Sequence, residues 1–143
     1  MEILANVSCV SMKGRGLLIC GPVESGKSTL AMAMIDRGAI LVGDDGIVLR
    51  RAHGRLWADP PPNIAGKLEI RGVGIVELPT ISAPLCLAVT LGEDGPRLPD
   101  VDWMKFDGGD LPHLRARSDA GRLDLRMEYA MDLHGLPGPD AFV

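Results

Sequence analysis

A glycine-rich loop near the amino end contains the residues with the most recognisable chemistry. It has a glycine, four further residues and then Gly-Lys-Ser, which is the Walker A pattern. Consecutive backbone N–H groups of such a loop face inward as an anion-binding nest, and the next helix adds its positive N-terminal dipole. Lys27 would reach the β- and γ-phosphates of a nucleotide, and the Ser28 hydroxyl would bind Mg²⁺. The expected phosphate-binding residues are Gly21, Pro22, Val23, Glu24, Ser25, Gly26, Lys27, Ser28 and Thr29.

Two adjacent carboxylates follow the loop at a useful distance. Asp44 and Asp45 lie 16 and 17 residues beyond Ser28, directly after the apolar stretch 39–42. Phosphoryl transfer uses a carboxylate at the end of a neighbouring strand, for the metal or for the proton. Because adjacent side chains of a strand point to opposite faces, one of the two should face the phosphates. A turn formed by Asp-Asp-Gly is the alternative interpretation.

The elements that must position these groups are mostly strands. Alternating or continuous apolar residues predict strands, and an Ala/Leu/Met-rich stretch with a terminal glycine predicts a helix. We expect one α/β domain over 1–143, with a helix directly after the loop and another near the carboxyl end. Residues 92–110 are polar and rich in Gly and Pro, so irregular surface is expected there. The expected strands are 3–12, 17–20, 39–42, 47–51, 56–58, 68–78 and 85–91, and the expected helices are 28–36 and 122–133.

Composition limits the classes of function. The 143 residues are 46% apolar and 24% charged, with a net charge of −4 and a pI near 5.3. An acidic chain is a poor partner for nucleic acid. No apolar run reaches the ~18 residues of a membrane span, and the start lacks the basic segment of a signal peptide. Three well-separated cysteines favour reduced, buried thiols. These features predict a cytoplasmic protein that binds neither nucleic acid nor membrane.

The chain resembles a known family, the catalytic domain of bacterial HPr kinase/phosphorylase, in its short proteobacterial form. The matching runs are 16–21, the loop itself, 39–45 and 68–75, and the last contains the pattern Glu-x-Arg-Gly-x-Gly. The resemblance spans roughly residues 3 to 91, and about 92–143 are divergent. It implies a P-loop kinase domain of the HPr kinase type.

The resemblance also implies a reaction and roles for residues. ATP would phosphorylate a serine of HPr, a phosphocarrier of the sugar phosphotransferase system, and inorganic phosphate would reverse this by phosphorolysis. Asp44 would take the serine proton and return it in the reverse step, while Asp45 would assist the metal or the polar network. Glu69 would be a further Mg²⁺-associated carboxylate, and Arg71 would contact phosphate or carboxylate, with Lys27 completing the catalytic set. A ring-like homo-oligomer is implied as well.

Three departures from the family keep other functions open. Asn6 stands where members commonly have a histidine, and asparagine cannot hold a proton near neutral pH. Val23 and Glu24 replace the usual Ser-Gly of the loop. A Gly-Arg-Asn segment near the carboxyl end is absent. The alternative function is therefore a non-catalytic ATP- or phosphate-sensing module that binds a partner protein. A small-molecule kinase is a third possibility, and either ATP or pyrophosphate fits as donor.

Overall fold

The structure, a computed structural model, describes residues 2–97 and 101–138. Within these ranges strands dominate, and two helices are present. The strands are β1 (Glu2–Ala5), β2 (Ser8–Met12), β3 (Arg15–Cys20), β4 (Ile40–Gly43), β5 (Gly46–Ala52), β6 (Arg55–Asp59), β7 (Lys67–Ile70), β8 (Gly74–Glu77), β9 (Ala83–Leu91), β10 (Asp102–Phe106) and β11 (Gly109–Ala116). The helices are α1 (Lys27–Asp36) and α2 (Leu123–His134). The mixed content confirms the expected α/β class.

Most of the strands join one sheet whose parallel members end at the same edge. Its order is β1-β5-β6-β9-β3-β2-β4, and β11 pairs with β9 and carries β10. Strand β3 is parallel to β9, and β9 is parallel to β11. Strand β2 is antiparallel to both β3 and β4. Strand β4 therefore points in the same direction as β3. The segments that follow these four strands therefore meet at one edge, where open α/β sheets bind their ligands.

The core lies on both faces of this sheet. Leu17 and Ile19 of β3 face one side and pack with residues of both helices, including Met34 and Met127. Leu18 faces the other side and packs with residues of β5, β6 and β9. Alternation along β3 thus divides its side chains between two apolar layers, because successive residues of a strand point to opposite faces. This double burial holds the end of β3, and the loop that follows it, in place.

Three of the expectations about elements are wrong. The stretch 3–12 is two strands, because Asn6 has φ 61 and breaks the extended backbone. As a result β1 pairs with β5, whereas β2 pairs with β3 and β4. The stretch 92–110 is not all irregular surface, since it includes β10 and the start of β11. These strands gain their order from pairing with each other and with distant β9, which local composition does not reveal.

The other expected elements are confirmed with small shifts at their ends, including both helices and the hairpin of β5 and β6. The third wrong expectation is the single strand over 68–78, which is instead a separate two-stranded sheet of β7 and β8, because the chain turns at Gly72 (φ 79) and Gly74 (φ 137). Cys9 and Cys86 are buried free thiols, as expected. Neither of the two helices within the described ranges has the length and apolar character needed to span a membrane. Pro137 and Pro139 in the sequence also predict a loose tail at the carboxyl end. Pro139 falls outside the described residues, whereas the carbonyl of Pro137 accepts a hydrogen bond from Arg55.

Leu87 at the centre of β9 should be a main contributor to stability. Its side chain is 0% exposed and packs in the layer beneath the helices. We expect Leu87→Ala to lower the free energy of unfolding by about 2–5 kcal/mol, since buried leucines lose both transfer energy and packing. Urea denaturation followed by circular dichroism measures the change. Leu133→Ala, at a position 77% exposed, is the matched control and should change it by less than about 0.5 kcal/mol.

Candidate phosphate-transfer site

The glycine-rich loop connects the end of β3 to the start of α1, as the sequence predicts. The backbone N–H of Ser25 donates to the carbonyl of Pro22 at 3.1 Å, which closes a turn. Gly26 has φ 97, and a Cβ atom there would lie 2.8 Å from the Cβ of Ser118. Glycine is required at this position on both counts, because other residues rarely adopt this φ and have no room. Helix α1 begins at the next residue, so its N-terminus faces the loop.

Lys27 lies across the loop in this structure. Its Nζ donates to the carbonyl oxygens of Gly21 at 2.7 Å and Pro22 at 2.8 Å. The hydroxyl of Ser25 is buried and has no hydrogen-bond partner within the described residues. A buried polar atom without a partner is costly, and an incoming oxyanion would supply the acceptor that it lacks. Cation, helix N-terminus and orphaned hydroxyl all fit a phosphate group.

Asp44 is the carboxylate that faces the loop. It follows β4, is 8% exposed, and accepts a hydrogen bond from the Ser28 hydroxyl at 2.7 Å. The hydroxyl of Ser8, at the start of β2, donates to the same oxygen, Oδ1, at 2.8 Å. Oδ2 takes neither bond. Two hydroxyls thus fix the carboxylate beside the end of the phosphate loop and leave one oxygen for another partner.

Asp45 points away from this arrangement. It is exposed and has φ 62, and its carbonyl accepts a 3.2 Å hydrogen bond from the N–H of Asn6. The two adjacent carboxylates therefore face different surroundings, as expected, and the structure brings Asp44 to the loop. The turn interpretation is also realised, because Asp45 takes the left-handed backbone conformation that aspartate tolerates.

One residue of the motif that contains Glu69 and Arg71 contacts the loop, and that residue is Arg71. Arg71 follows β7, and its Nη2 lies 2.9 Å from Oε1 of Glu24 in the loop. Glu69 is exposed on β7, opposite Ile75 of β8. Among the described residues, neither Ser28 nor Asp44 contacts Glu69 through a hydrogen bond or ion pair. The expected role of Glu69 as a metal-associated carboxylate therefore stays a prediction.

The oxygen atoms near Ser28 could supply part of a Mg²⁺ coordination shell. The hydroxyl of Ser28 and the carboxylate of Asp44 are hard oxygen ligands held 2.7 Å apart. Mg²⁺ usually takes one or two protein ligands together with phosphate oxygens and water. No group of three or more His, Cys, Asp or Glu within 2–97 and 101–138 is arranged to hold a metal by itself. The site therefore suits a metal that arrives with a phosphate ligand.

A cavity beside the loop offers room for the rest of a ligand. Its volume is about 400 Å³. Gly26 and Thr29 line one side, and residues 118–120 and 122–124, at the start of α2, line the other. Sequence reasoning missed Ser118, which contacts the loop, and Ser8, which holds Asp44. Ser8 shares its strand with a second serine, Ser11, so the residue types did not single it out. Ser118 had no signal, because its position depends on the approach of β11 to β3 through β9.

Cys20 lies directly before the loop and should be a poor nucleophile. Burial raises the pKa of its thiol from 9.0 to about 11, and the ammonium of Lys27 opposes part of this rise. At pH 8 its thiolate population is then about 100-fold below that of an unperturbed thiol. We expect its alkylation by iodoacetamide, followed by peptide mass spectrometry, to keep accelerating up to pH ~11. A plateau near pH 9 in protein that circular dichroism shows to be folded would contradict this.

Comparisons with known proteins relate this chain to a family. The family described as HPr Serine kinase C-terminal domain matches residues 2–82. The HPr kinase/phosphorylase of Clostridium botulinum (strain Eklund 17B / Type B) is 33% identical over 128 residues, which is 90% of this chain and 38% of that protein. That of Streptococcus thermophilus (strain ATCC BAA-491 / LMD-9) is 41% identical over 70 residues, or 48% of this chain and 23% of that protein. The chain thus spans well under half the length of these curated relatives.

A solved structure extends the likeness beyond the matching sequence runs. The structure of the Hpr(Ser) kinase/phosphatase from Coxiella burnetii is similar with a TM-score of 0.80 and 26% identity. The similarity covers 92% of this chain and 89% of that one, so it reaches past residue 91 into the divergent part. Because the family match covers more than half of the residues, the chain belongs to the HPr serine kinase C-terminal domain family.

Proposed function

We propose that the chain is the catalytic domain of an ATP-dependent serine kinase that phosphorylates an HPr-like phosphocarrier protein and so regulates carbohydrate transport by the phosphotransferase system. One observation carries the proposal. A buried carboxylate, Asp44, lies 2.7 Å from the hydroxyl of Ser28, the last residue of the phosphate-binding pattern. A purely structural anion site has no need of a carboxylate at this point, whereas phosphoryl transfer does.

Asp44 is proposed as the general base. Its Oδ1 is occupied by the hydroxyls of Ser8 and Ser28, so Oδ2 is the oxygen that accepts the proton of the acceptor serine. The serine oxygen then forms a bond to the γ-phosphorus of ATP, the bond from that phosphorus to the bridging oxygen breaks, and ADP leaves. In the reverse direction inorganic phosphate attacks phosphoserine, pyrophosphate forms, and Asp44 returns the proton to serine.

Residues of the loop are proposed to hold the nucleotide. The backbone N–H groups of 21–28 bind the phosphates, Lys27 turns from the loop carbonyls to the β- and γ-phosphates, and Thr29 lies beside the cavity for the nucleoside. Ser28 is proposed to hold Mg²⁺, with Asp45 and Glu69 available to its water shell. The ion, when bound, would neutralise charge that develops on the transferred phosphoryl group. Arg71 is proposed to contact the same phosphate or the acceptor.

The test is transfer of label from γ-³²P-ATP to purified HPr in the presence of Mg²⁺. We expect HPr to become labelled. A serine phosphatase should remove this label, and no label should appear without Mg²⁺. Labelled pyrophosphate used in parallel distinguishes the two donors. If HPr stays unlabelled with both donors while ATP binds, the kinase proposal fails.

A sensing module is the second candidate, and the loop itself favours it. Glu24 brings a carboxylate next to the proposed phosphate site, and the ammonium of Lys27 donates to two carbonyls of the loop itself. Both features lower the affinity for phosphate ligands. ATP binding that changes the affinity for a partner protein, with no label transferred, would support the sensor. Pull-down with HPr at several ATP concentrations makes that measurement.

We also propose that the protein acts in the cytoplasm, where ATP and phosphocarrier proteins are found, and that it assembles as a homo-oligomer. Analytical ultracentrifugation at several protein concentrations tests the assembly. A single species with the mass of one chain at every concentration would contradict it.

A further inference from the structure

Two cations face the mouth of the loop, and atoms of the loop hold both of them. The Nζ of Lys27 is bound by two loop carbonyls, at 2.7 and 2.8 Å. Arg71 is bound by the carboxylate of Glu24, at 2.9 Å. The groups that would attract a phosphate thus have partners within the loop. A ligand has to exchange these contacts for its own.

Glu24 is placed by the backbone of the loop to make its contact. It is the third residue of the turn that the Pro22–Ser25 hydrogen bond closes, and its φ is 62. A positive φ at this position of a turn favours glycine, so glutamate stays there against its backbone preference. The turn directs the side chain outward to Arg71, at the end of β7. Both side chains are exposed, 69% for Glu24 and 87% for Arg71.

The contact is weak and well suited to exchange. Arg71 uses a single nitrogen, Nη2, toward Glu24, whereas a guanidinium can donate two parallel hydrogen bonds to a phosphate. Glu24 would then be left without a partner next to the phosphates and would repel them. A phosphate ligand therefore gains Arg71 but loses the neutralisation of Glu24. The carboxylate of Glu24 therefore opposes binding in two ways, because it competes with the ligand for Arg71 and, once released, repels the phosphates.

We propose that Glu24 is an affinity-determining residue, which holds Arg71 in the free protein and releases it when a phosphate-bearing ligand enters. This inference rests on the proposed phosphate site. The exchange makes Glu24 a built-in competitor of the ligand. Since its carboxylate competes only as a charge, the competition should decline as salt screens the pair.

The first test is the dissociation constant of a non-hydrolysable ATP analogue with Mg²⁺, measured by isothermal titration calorimetry. Glu24→Gln keeps the size and the backbone conformation of the residue but removes its charge. We expect binding to tighten about two- to five-fold, the range that an exposed ion pair supports. Glu2→Gln, which removes another exposed pair, with Arg51 at 3.1 Å, is the matched control and should leave the dissociation constant unchanged.

A double-mutant cycle with Arg71→Gln separates competition from positioning. If Glu24 competes for Arg71, the gain from Glu24→Gln should be smaller when Arg71 is absent, because only repulsion is then relieved. If Glu24 instead holds Arg71 in place for the ligand, Glu24→Gln weakens binding with Arg71 present and tightens it without. That pattern overturns the proposal.

The remaining outcomes also test the proposed role of Glu24. At about 0.5 M salt, where the Debye length is below ~5 Å, the ratio of the two dissociation constants should approach one. A gain that is unchanged by salt would show that charge is not the cause and would contradict the proposal. Binding by wild type with no gain in Glu24→Gln overturns the role of Glu24 alone. No binding by any variant overturns the phosphate site and this inference together.

Discussion

Replacing Asp44 with asparagine is expected to lower the rate of phosphoryl transfer to HPr by about 10²–10⁴-fold, the usual contribution of a positioned general base. The amide cannot accept the serine proton, but its carbonyl oxygen can accept the hydrogen bonds from Ser8 and Ser28. The variant should therefore fold and still bind nucleotide. Single-turnover label transfer measures the rate, and calorimetry with the ATP analogue measures binding.

The position of the carboxylate makes this prediction specific. Asp132→Asn on α2, where the carboxylate is 65% exposed and lies 3.5 Å from Arg15, is a matched control and should transfer at the wild-type rate. Transfer that persists within a few-fold of wild type in Asp44→Asn would show that another group takes the proton. The exposed Asp45 would then be the next candidate for the general base, and Asp45→Asn would test it.

The second large effect is expected from Lys27→Met, which should weaken binding of the ATP analogue by about 10- to 100-fold. A hydrogen bond to a charged group contributes about 1.5–3 kcal/mol, and the ammonium would make at least one to the phosphates. Methionine keeps most of the apolar stem and the helical start of α1. The carbonyls of Gly21 and Pro22, which Lys27 binds in the free protein, can turn to water.

Two measurements test Lys27→Met: the dissociation constant of the ATP analogue by calorimetry, and the rise in melting temperature that the analogue causes. A ligand at free concentration L that binds only the folded state stabilises it by RT ln(1 + L/Kd), so with the ligand near the wild-type dissociation constant the rise should nearly vanish in the variant. Lys13→Met, at an exposed lysine 3.8 Å from Glu128, is the control and should keep the full rise. An unchanged rise in Lys27→Met would mean that the ligand binds away from the loop.

The sequence alone determined the phosphate loop, because all of its parts are local. The glycine spacing, the lysine, the serine and the helix formers that follow lie within one short stretch, and each has a physical task that does not depend on distant residues. The helices over 27–36 and 123–134 were predictable for the same reason, since helical contacts join residues a few positions apart. The family resemblance was equally visible from its ordered motifs.

Tertiary structure decided which carboxylate faces the loop, a choice that the residue pattern left open and that the family resemblance implied for Asp44. The residue types of Asp44 and Asp45 are the same, and the selection of Asp44 depends on Ser8 of a strand that lies between β4 and β3. Two contacts with the loop arise in the same way, from strands that are distant in the chain: Ser118 against Gly26, and Arg71 against Glu24. Strands β10 and β11 were missed because β10 pairs with β11 and β11 pairs with distant β9, and this pairing rather than local pattern stabilises them. Local chemistry fixed the loop proposed to bind phosphate, and the register of the sheet fixed which side chains lie beside it.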